Sequence, residues 1–427
     1  MWKELGGEFP GVKEVVKMLG KVRRRMQEAQ GVFDFYEIDA ENRERAKMNS
    51  ALGGEEYADY VGPIEVVEVA GKGRGVVATH DISKGTLLLC DRGLAVVESR
   101  SSVGIYNLDE RWQRNNIESH ALSIYSLVQR MMDDCDFARR VYNLHAGDIE
   151  KPSIEGEAKL PVDHLFVQSA VHFNAFKPQP IPRISDPVND FPQFEKPEIS
   201  GVWSRASMFN HSCVPNTIPC IAGESLMVFA ATDIRAGDEI TAAYCLQEFS
   251  LAMRTQLCER FGFRCTCDFC EYQRNTTTEN IGLRGLLLDK WKREFLSQLN
   301  SPMNALEPFF LLLGRLNVTY AANSPYQFEK VIVLKIIGMI YESLKQYSLA
   351  REYYIQAYRA SGDRNPRYCN LLYRAMVCGS TGLDGSAAPE VKERLLSELN
   401  ELYAMYALRA GGNLVVAKRM VDRDENK

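Results

Sequence analysis

The sequence predicts an α+β protein, with a core of short, curled strands that carries helical insertions and is followed by an all-helical C-terminal region. Three observations lead there. From Ile64 to Val97 and again from Ser225 to Tyr244, short runs of Val, Leu and Ile are the texture of short strands, and glycines at 71, 73, 75, 85 and 93 punctuate the first block as tight turns do. Between the two blocks, from about Tyr106 to Ala175, Leu122, Tyr125, Leu127 and Met131 return to helical spacing. Beyond Asn280 the helical pattern is unbroken.

Taken in order, residues 1–58 read as a polar helical lead-in, with Val12, Val15, Val16, Leu19 and Val22 at helix-like intervals. The basic run Lys21, Arg23, Arg24 and Arg25 within it reads as a solvated helix face. Residues 59–257 form the strand-rich domain, interrupted by an insertion over 106–200. The last part of that insertion carries prolines at 178, 180, 182, 187, 192 and 197, which exclude regular helix or a central strand and predict an exposed, semi-extended loop. A cysteine segment spans 258–275, and residues 276–420 form the helical domain. There Ile337, Gly338, Tyr341, Ala350, Tyr354 and Ala357 fit the small-and-large spacing of a tetratricopeptide-like helix pair. A single repeat needs stacking neighbours to bury its faces, and the segments around 306–316 and 371–377 are the candidates.

The chain has 427 residues, enough for two or three domains, with 45% hydrophobic and 25% charged residues. A net charge of −5 argues against a general nucleic-acid binder, which needs a basic excess to neutralise phosphates. The first residues show no secretory signal, and the apolar run from Val331 to Ile340 is interrupted by Lys335 and too short to span a bilayer. Eleven cysteines in such a context imply thiols or metal ligands in a reducing compartment, so the expectation is a cytosolic or nuclear protein with no membrane contact.

Cys265, Cys267 and Cys270 form C-x-C-x-x-C, three sulfurs within six residues, which is the local density a tetrahedral zinc site needs. Three thiolates leave the site one ligand short. Cys258 is close in sequence, and a distant cysteine would serve as well.

Two further strings complete the pattern. Residues 210–216 read Asn-His-Ser-Cys-Val-Pro-Asn, and residues 234–244 run through an acidic turn and a strand to Tyr244. Together with Gly71-Lys72-Gly73-Arg74-Gly75 and the cysteine triplet, in this order over roughly residues 60–272, the sequence resembles SET-domain protein-lysine methyltransferases. Its nearest flavour is the SET-and-MYND branch. The MYND finger itself is missing, because only Cys135 falls between Gly93 and Gln168; in this the chain resembles fungal proteins that join a SET domain to tetratricopeptide helices. Asp238 stands where glutamate is more usual.

The resemblance implies an S-adenosyl-L-methionine site and one structural zinc ion. It assigns Lys72, Gly73 and Arg74 to the amino-acid end of the cofactor, and Asn174, Asn210 and His211 to further cofactor contacts. Phe263 packs on the adenine, Tyr244 is the catalytic tyrosine that also borders the cofactor, and Phe261 lines the lysine channel. Cys213 is the fourth zinc ligand beside Cys265, Cys267 and Cys270. The partners implied are a protein substrate with an exposed lysine and protein partners on the C-terminal helices. The competing reading is a catalytically silent scaffold; it would be marked by loss of the tyrosine or of the Asn-His pair, and both are retained.

Overall fold

The computed structural model describes residues 12–35, 37–38, 41, 57–99, 108–153, 161–177, 179–180, 198–245, 250–296, 306–321 and 324–362, with single positions at 371, 374, 375 and 378. Most of the proline-rich stretch, and the chain beyond 378, lie outside the described residues.

The α+β expectation holds. Strands β1 (Tyr60–Val61), β2 (Ile64–Val69), β3 (Gly73–Ala78), β4 (Leu87–Arg92) and β5 (Ala95–Ser99) come first. The helical insertion follows as Leu108–Asp133, Cys135–Tyr142 and His164–Asn174. Then come β6 (Ala175–Phe176), β7 (Gln179–Pro180), β8 (Glu198–Val202), β9 (Asn210–His211), β10 (Thr217–Ala222), β11 (Ser225–Ala230) and β12 (Glu239–Ala242). Both ends of the proline-rich stretch are therefore paired rather than loose: Pro180 runs parallel beside Ile221 at a sheet edge, where its missing N–H costs no ladder bond.

Among the described residues three small sheets result, ordered β1-β4-β11-β10-β7, β2-β3-β12-β9 and β5-β8-β6. Val76, Ile240 and Ala242 of the second sheet share one core with Leu88, Leu89, Ile221, Leu226 and Val228 of the first. β11 is buried along its whole length, which is why it reads as an apolar run without alternation. The insertion has its own core of Leu127, Met131, Phe137, Val141, Phe166, Val167 and Val171, closed against Leu94, Ala95 and Val202 of the strand domain. Asp163 caps the last insertion helix, accepting from the amides of Leu165 (2.9 Å) and Phe166 (3.0 Å).

The N-terminal helix Val12–Glu28 sits with its charged side inward. Glu28 is buried and accepts from the amide of Ala58 at 2.9 Å, while Arg24 pairs with Glu28, Glu37 and Glu41, each within 2.9 Å. The basic run is thus not simply solvated, and Val15, Val16, Leu19, Val22 and Met26 face outward. Sequence periodicity located the apolar stripe but carried no information on which side of the helix meets the body.

After β12 come Leu251–Arg260, which leads into the cysteine segment, Asp268–Arg274 within it, Thr278–Leu296 and Leu306–Asn317, then the pair Phe328–Ser343 and Tyr347–Ala360. The short Leu344–Gln346 connection folds that pair back on itself. At the crossing, a Cβ on Gly338 would fall 2.8 Å from the Tyr354 ring, whose hydroxyl is held by Glu342 and Arg374. The ring has no room to retreat, so Gly338→Val is expected to destabilise by about 1–3 kcal/mol through overpacking; a urea midpoint equal to wild type would contradict the close crossing. Among the described residues no helix is long and apolar enough to cross a membrane.

Candidate active site

The site is built where the 210–216 segment passes beside β12. Asn210 and His211 pair in parallel with Thr241 and Ala242, and the amide of Ser212 continues the ladder to the carbonyl of Ala242 at 3.0 Å. Asn216 locks the far end: its Oδ1 accepts from the Thr241 amide at 2.8 Å and its Nδ2 donates to the Glu239 carbonyl at 2.9 Å. The near end is set by Asp91, whose buried carboxylate accepts from the amides of Arg205 (2.8 Å) and Ala206 (3.3 Å) at the start of the turn leading to Phe209. Burial pushes the Asp91 carboxyl upward, against the pull of its bonds to Arg205.

This parallel contact brings His211 to Tyr244. The Tyr244 amide donates to Nδ1 of His211 at 3.0 Å, which leaves the ring hydrogen on Nε2, 3.3 Å from the sulfur of Cys213. His211 therefore joins the strand end to the cysteine cluster. The Tyr244 hydroxyl donates to the carbonyl of Phe209 at 2.7 Å, and its ring lies 5.5 Å from Phe261, 6.2 Å from Phe263 and 5.2 Å from His211. Burial first, then the charges of Glu239 and Cys258, push the phenol up to about 12, so Tyr244 is a neutral donor at physiological pH.

Phe261 is the C-cap of the Leu251–Arg260 helix, and both it and Phe263 donate their amides to the carbonyl of Cys258. The far face of Phe261 meets His172, stacked at 5.9 Å, and Phe173 at 6.0 Å. Sequence reading missed these two residues; their only signal was adjacency to Asn174 at the end of the insertion helix. Asn174 itself is buried and donates to the carbonyls of His145 (2.7 Å) and Ala170 (2.6 Å), tying the helix end to the preceding loop.

The glycine-rich turn reaches the same place. Asn210 Nδ2 donates to the carbonyl of Arg74 (3.2 Å) and to Glu239 (2.9 Å), and Lys72 pairs with the other Glu239 oxygen at 2.5 Å. A Cβ on Gly75 would fall 2.7 Å from that Asn210 nitrogen, so glycine there is a condition of the approach. Gly73 turns the chain with φ +70°, and Arg74 directs its guanidinium to the carbonyl of Asn143 at 3.0 Å. Glu239, another residue that sequence reading left out, is the anion shared by Lys72 and Asn210.

The sulfurs of Cys213, Cys265, Cys267 and Cys270 lie within 4.8 Å of one another, with Cys213 4.0 Å from Cys265 and 3.5 Å from Cys270. Four ligands at the usual Zn–S length define a tetrahedron with edges of about 3.8 Å, so the donor set is compatible with one zinc ion. His211, Cys213 and Cys245 form a second group of the same compactness. It shares Cys213 and offers only three ligands, so the four-thiol set is the better site for zinc. Cys258 is absent from both groups.

Residues 73–245 match the family model described as the SET domain. A methyltransferase of Gibberella zeae is 26% identical over 249 residues, 54% of this chain and 34% of that protein. The histone-lysine N-methyltransferase SET5 of Meyerozyma guilliermondii is 35% identical over 95 residues, 20% of each chain. Human histone-lysine N-methyltransferase SMYD3 is 35% identical over 74 residues, 17% of each chain. The aligned stretches thus span about a third or less of these curated relatives.

Proposed function

We propose that the protein is a lysine methyltransferase that uses S-adenosyl-L-methionine and acts on a protein substrate. The observation that carries this reading is the convergence on Tyr244. A half-buried, neutral tyrosine just past the end of β12 is walled by Phe261 and Phe263 and bonded through its amide to His211 of the Asn-His pair. The donor set fits the cofactor: the Gly73–Gly75 turn lets backbone come close, Asn210 offers an amide to the Arg74 carbonyl and to Glu239, and Lys72 and Arg74 on the same turn are cations for a carboxylate. Glu239 balances Lys72 and is the anion available to an ammonium group.

The bound cofactor supplies an electrophilic methyl on a sulfonium. That methyl would go to a lysine amine held beside Tyr244, Phe261 and Phe263. The protein must deliver the amine deprotonated, although its ordinary pKa is about 10.4. An aromatic channel beside a positive sulfonium depresses that value by desolvation and like charge. Phe261, backed by His172 and Phe173, forms a wall that excludes water, and Phe263 continues it towards His211. Tyr244 donates its hydroxyl hydrogen to the Phe209 carbonyl and so presents its oxygen as an acceptor at the channel end. With its phenol at about 12 it does not serve as the base, and the rest of the rate comes from alignment.

Calorimetric binding of the cofactor is the first test. Micromolar binding is expected, reduced at least tenfold by Asn210→Ala, together with transfer of labelled methyl to protein lysines. Neither binding nor transfer would return the protein to a scaffold role. The C-terminal helices are proposed as a partner surface, and a cytosolic or nuclear location follows from the thiol-rich composition.

A further inference from the structure

The N-terminal helix Val12–Glu28 is held to the body through its last turn. Glu28 is buried and Arg24 and Arg25 are partly covered, whereas every residue from Glu14 to Arg23 is exposed. At 1.5 Å per residue, about 15 Å of helix projects into solvent. One side of it is apolar. Val15, Val16, Met18, Leu19, Val22 and Met26 are each more than half exposed, with Val15, Leu19, Val22 and Met26 along the middle of the stripe. Single exposed apolar side chains are ordinary, but a contiguous stripe marks a surface that meets something less polar than water.

The charge of the helix selects the occupant. Residues 14–28 hold Lys17, Lys21, Arg23, Arg24 and Arg25 against Glu14 and Glu28, in a chain whose net charge is −5. Arg23 and Arg25 follow Val16 and Met18 by seven residues, and therefore flank the stripe at its two margins. A second copy would set one cationic helix against another, which like charge opposes. A protein groove takes a helix by a few large anchors, and valine and leucine seldom carry such an interface. A bilayer surface needs no shaped anchor. It takes an apolar helix side bordered by cations, and anionic headgroups supply the opposite charge.

We propose that the Val12–Glu28 helix is a peripheral anchor for an anionic lipid surface. The apolar stripe enters the headgroup boundary, Arg23 and Arg25 meet anionic headgroups at its margins, and the bonds of Glu28 to Arg24 and to the Ala58 amide fix the helix to the body. Lying on a bilayer is distinct from crossing one, so the lack of a spanning helix among the described residues does not bear on it. The sequence-based expectation of no membrane contact does not include the direction of the stripe, which the structure supplies.

Co-sedimentation of the full chain with vesicles tests this, using phosphatidylcholine alone and phosphatidylcholine mixed equally with phosphatidylserine. Binding to the mixed vesicles is expected, about tenfold weaker or more on phosphatidylcholine alone, and weakened by salt. Leu19→Gln keeps helix propensity and removes the central apolar side chain. It should lower partitioning about tenfold, the scale of burying one leucine. Arg23→Glu reverses a marginal charge and should cost a similar factor on mixed vesicles, with little change on neutral ones. Both positions are exposed, so the thermal transition should match wild type; Val15→Gln repeats the comparison should Leu19→Gln fail to fold. A wild-type chain that leaves mixed vesicles unbound, binds both kinds equally, or loses nothing on Leu19→Gln would overturn the proposal and leave the stripe to a protein groove. A lipid-free dimer in sedimentation velocity that Leu19→Gln breaks would also overturn it and assign the stripe to a second copy.

Discussion

Removing zinc is expected to unfold more than the twenty residues around it. The four ligand cysteines do not form an isolated finger. Cys213, Cys265, Phe269 and Cys270 share one hydrophobic core with Phe328, Val331, Leu334, Ala350, Tyr354 and Ala357 of the C-terminal helix pair. Phe269 packs edge-on against Phe328 at 4.6 Å and against Tyr326 at 5.1 Å. The segment that presents the four clustered sulfurs is thus the seat on which the helical region rests. Structural zinc contributes about 10–16 kcal/mol in small peptides, comparable with the whole net stability of a domain, about 5–15 kcal/mol. Chelation, or Cys265→Ser, should therefore abolish the cooperative thermal transition of the helical region rather than shift it by a few degrees. Cys258→Ser and Cys245→Ser are the controls, because neither residue belongs to the four-sulfur set, and both variants should keep one bound zinc. A stripped protein with an unchanged thermal transition would show that the core holds without the metal.

Much of this was legible in the sequence, for identifiable reasons. C-x-C-x-x-C fixes three sulfurs by local geometry, and β4 and β11 read as apolar runs because strands buried on both faces lose alternation. Non-local pairings were not legible. β9 is only Asn210–His211, too short for any periodicity, and its parallel alignment with β12 exists because Asn216 and Asp91 hold its two ends. The same holds for the shared anion Glu239 and for the His172 and Phe173 backing of Phe261. In each case the partner lies far along the chain or on a neighbouring element, and the residue type alone suits an exposed surface equally well. The N-terminal helix shows the converse, since its apolar stripe was plain from spacing while its outward orientation depends on Glu28 meeting the amide of Ala58.

Tyr244→Phe should separate catalysis from binding. The substitution keeps the ring between Phe261, Phe263 and His211 and removes only the hydroxyl on the Phe209 carbonyl. Loss of one preorganised polar contact at a reacting centre lowers kcat by about 10²–10³-fold, while cofactor affinity should change less than threefold. Alkaline behaviour provides an independent check on the same side chain. Its folded value, about 12, lies above the ordinary 10, so the burial it reports stabilises the fold fully below pH 10 and is lost as pH rises through 12. That loss amounts to about 2–3 kcal/mol. Tyr244→Phe has no phenol to ionise, so its stability between pH 10 and 12 should fall less steeply than that of wild type. Equal alkaline slopes would mean that the hydroxyl is solvated, and a kcat unchanged by the substitution would remove Tyr244 from the reacting centre. A slow variant with the shallower slope is the outcome expected of a phenol held against Phe209 as a neutral donor.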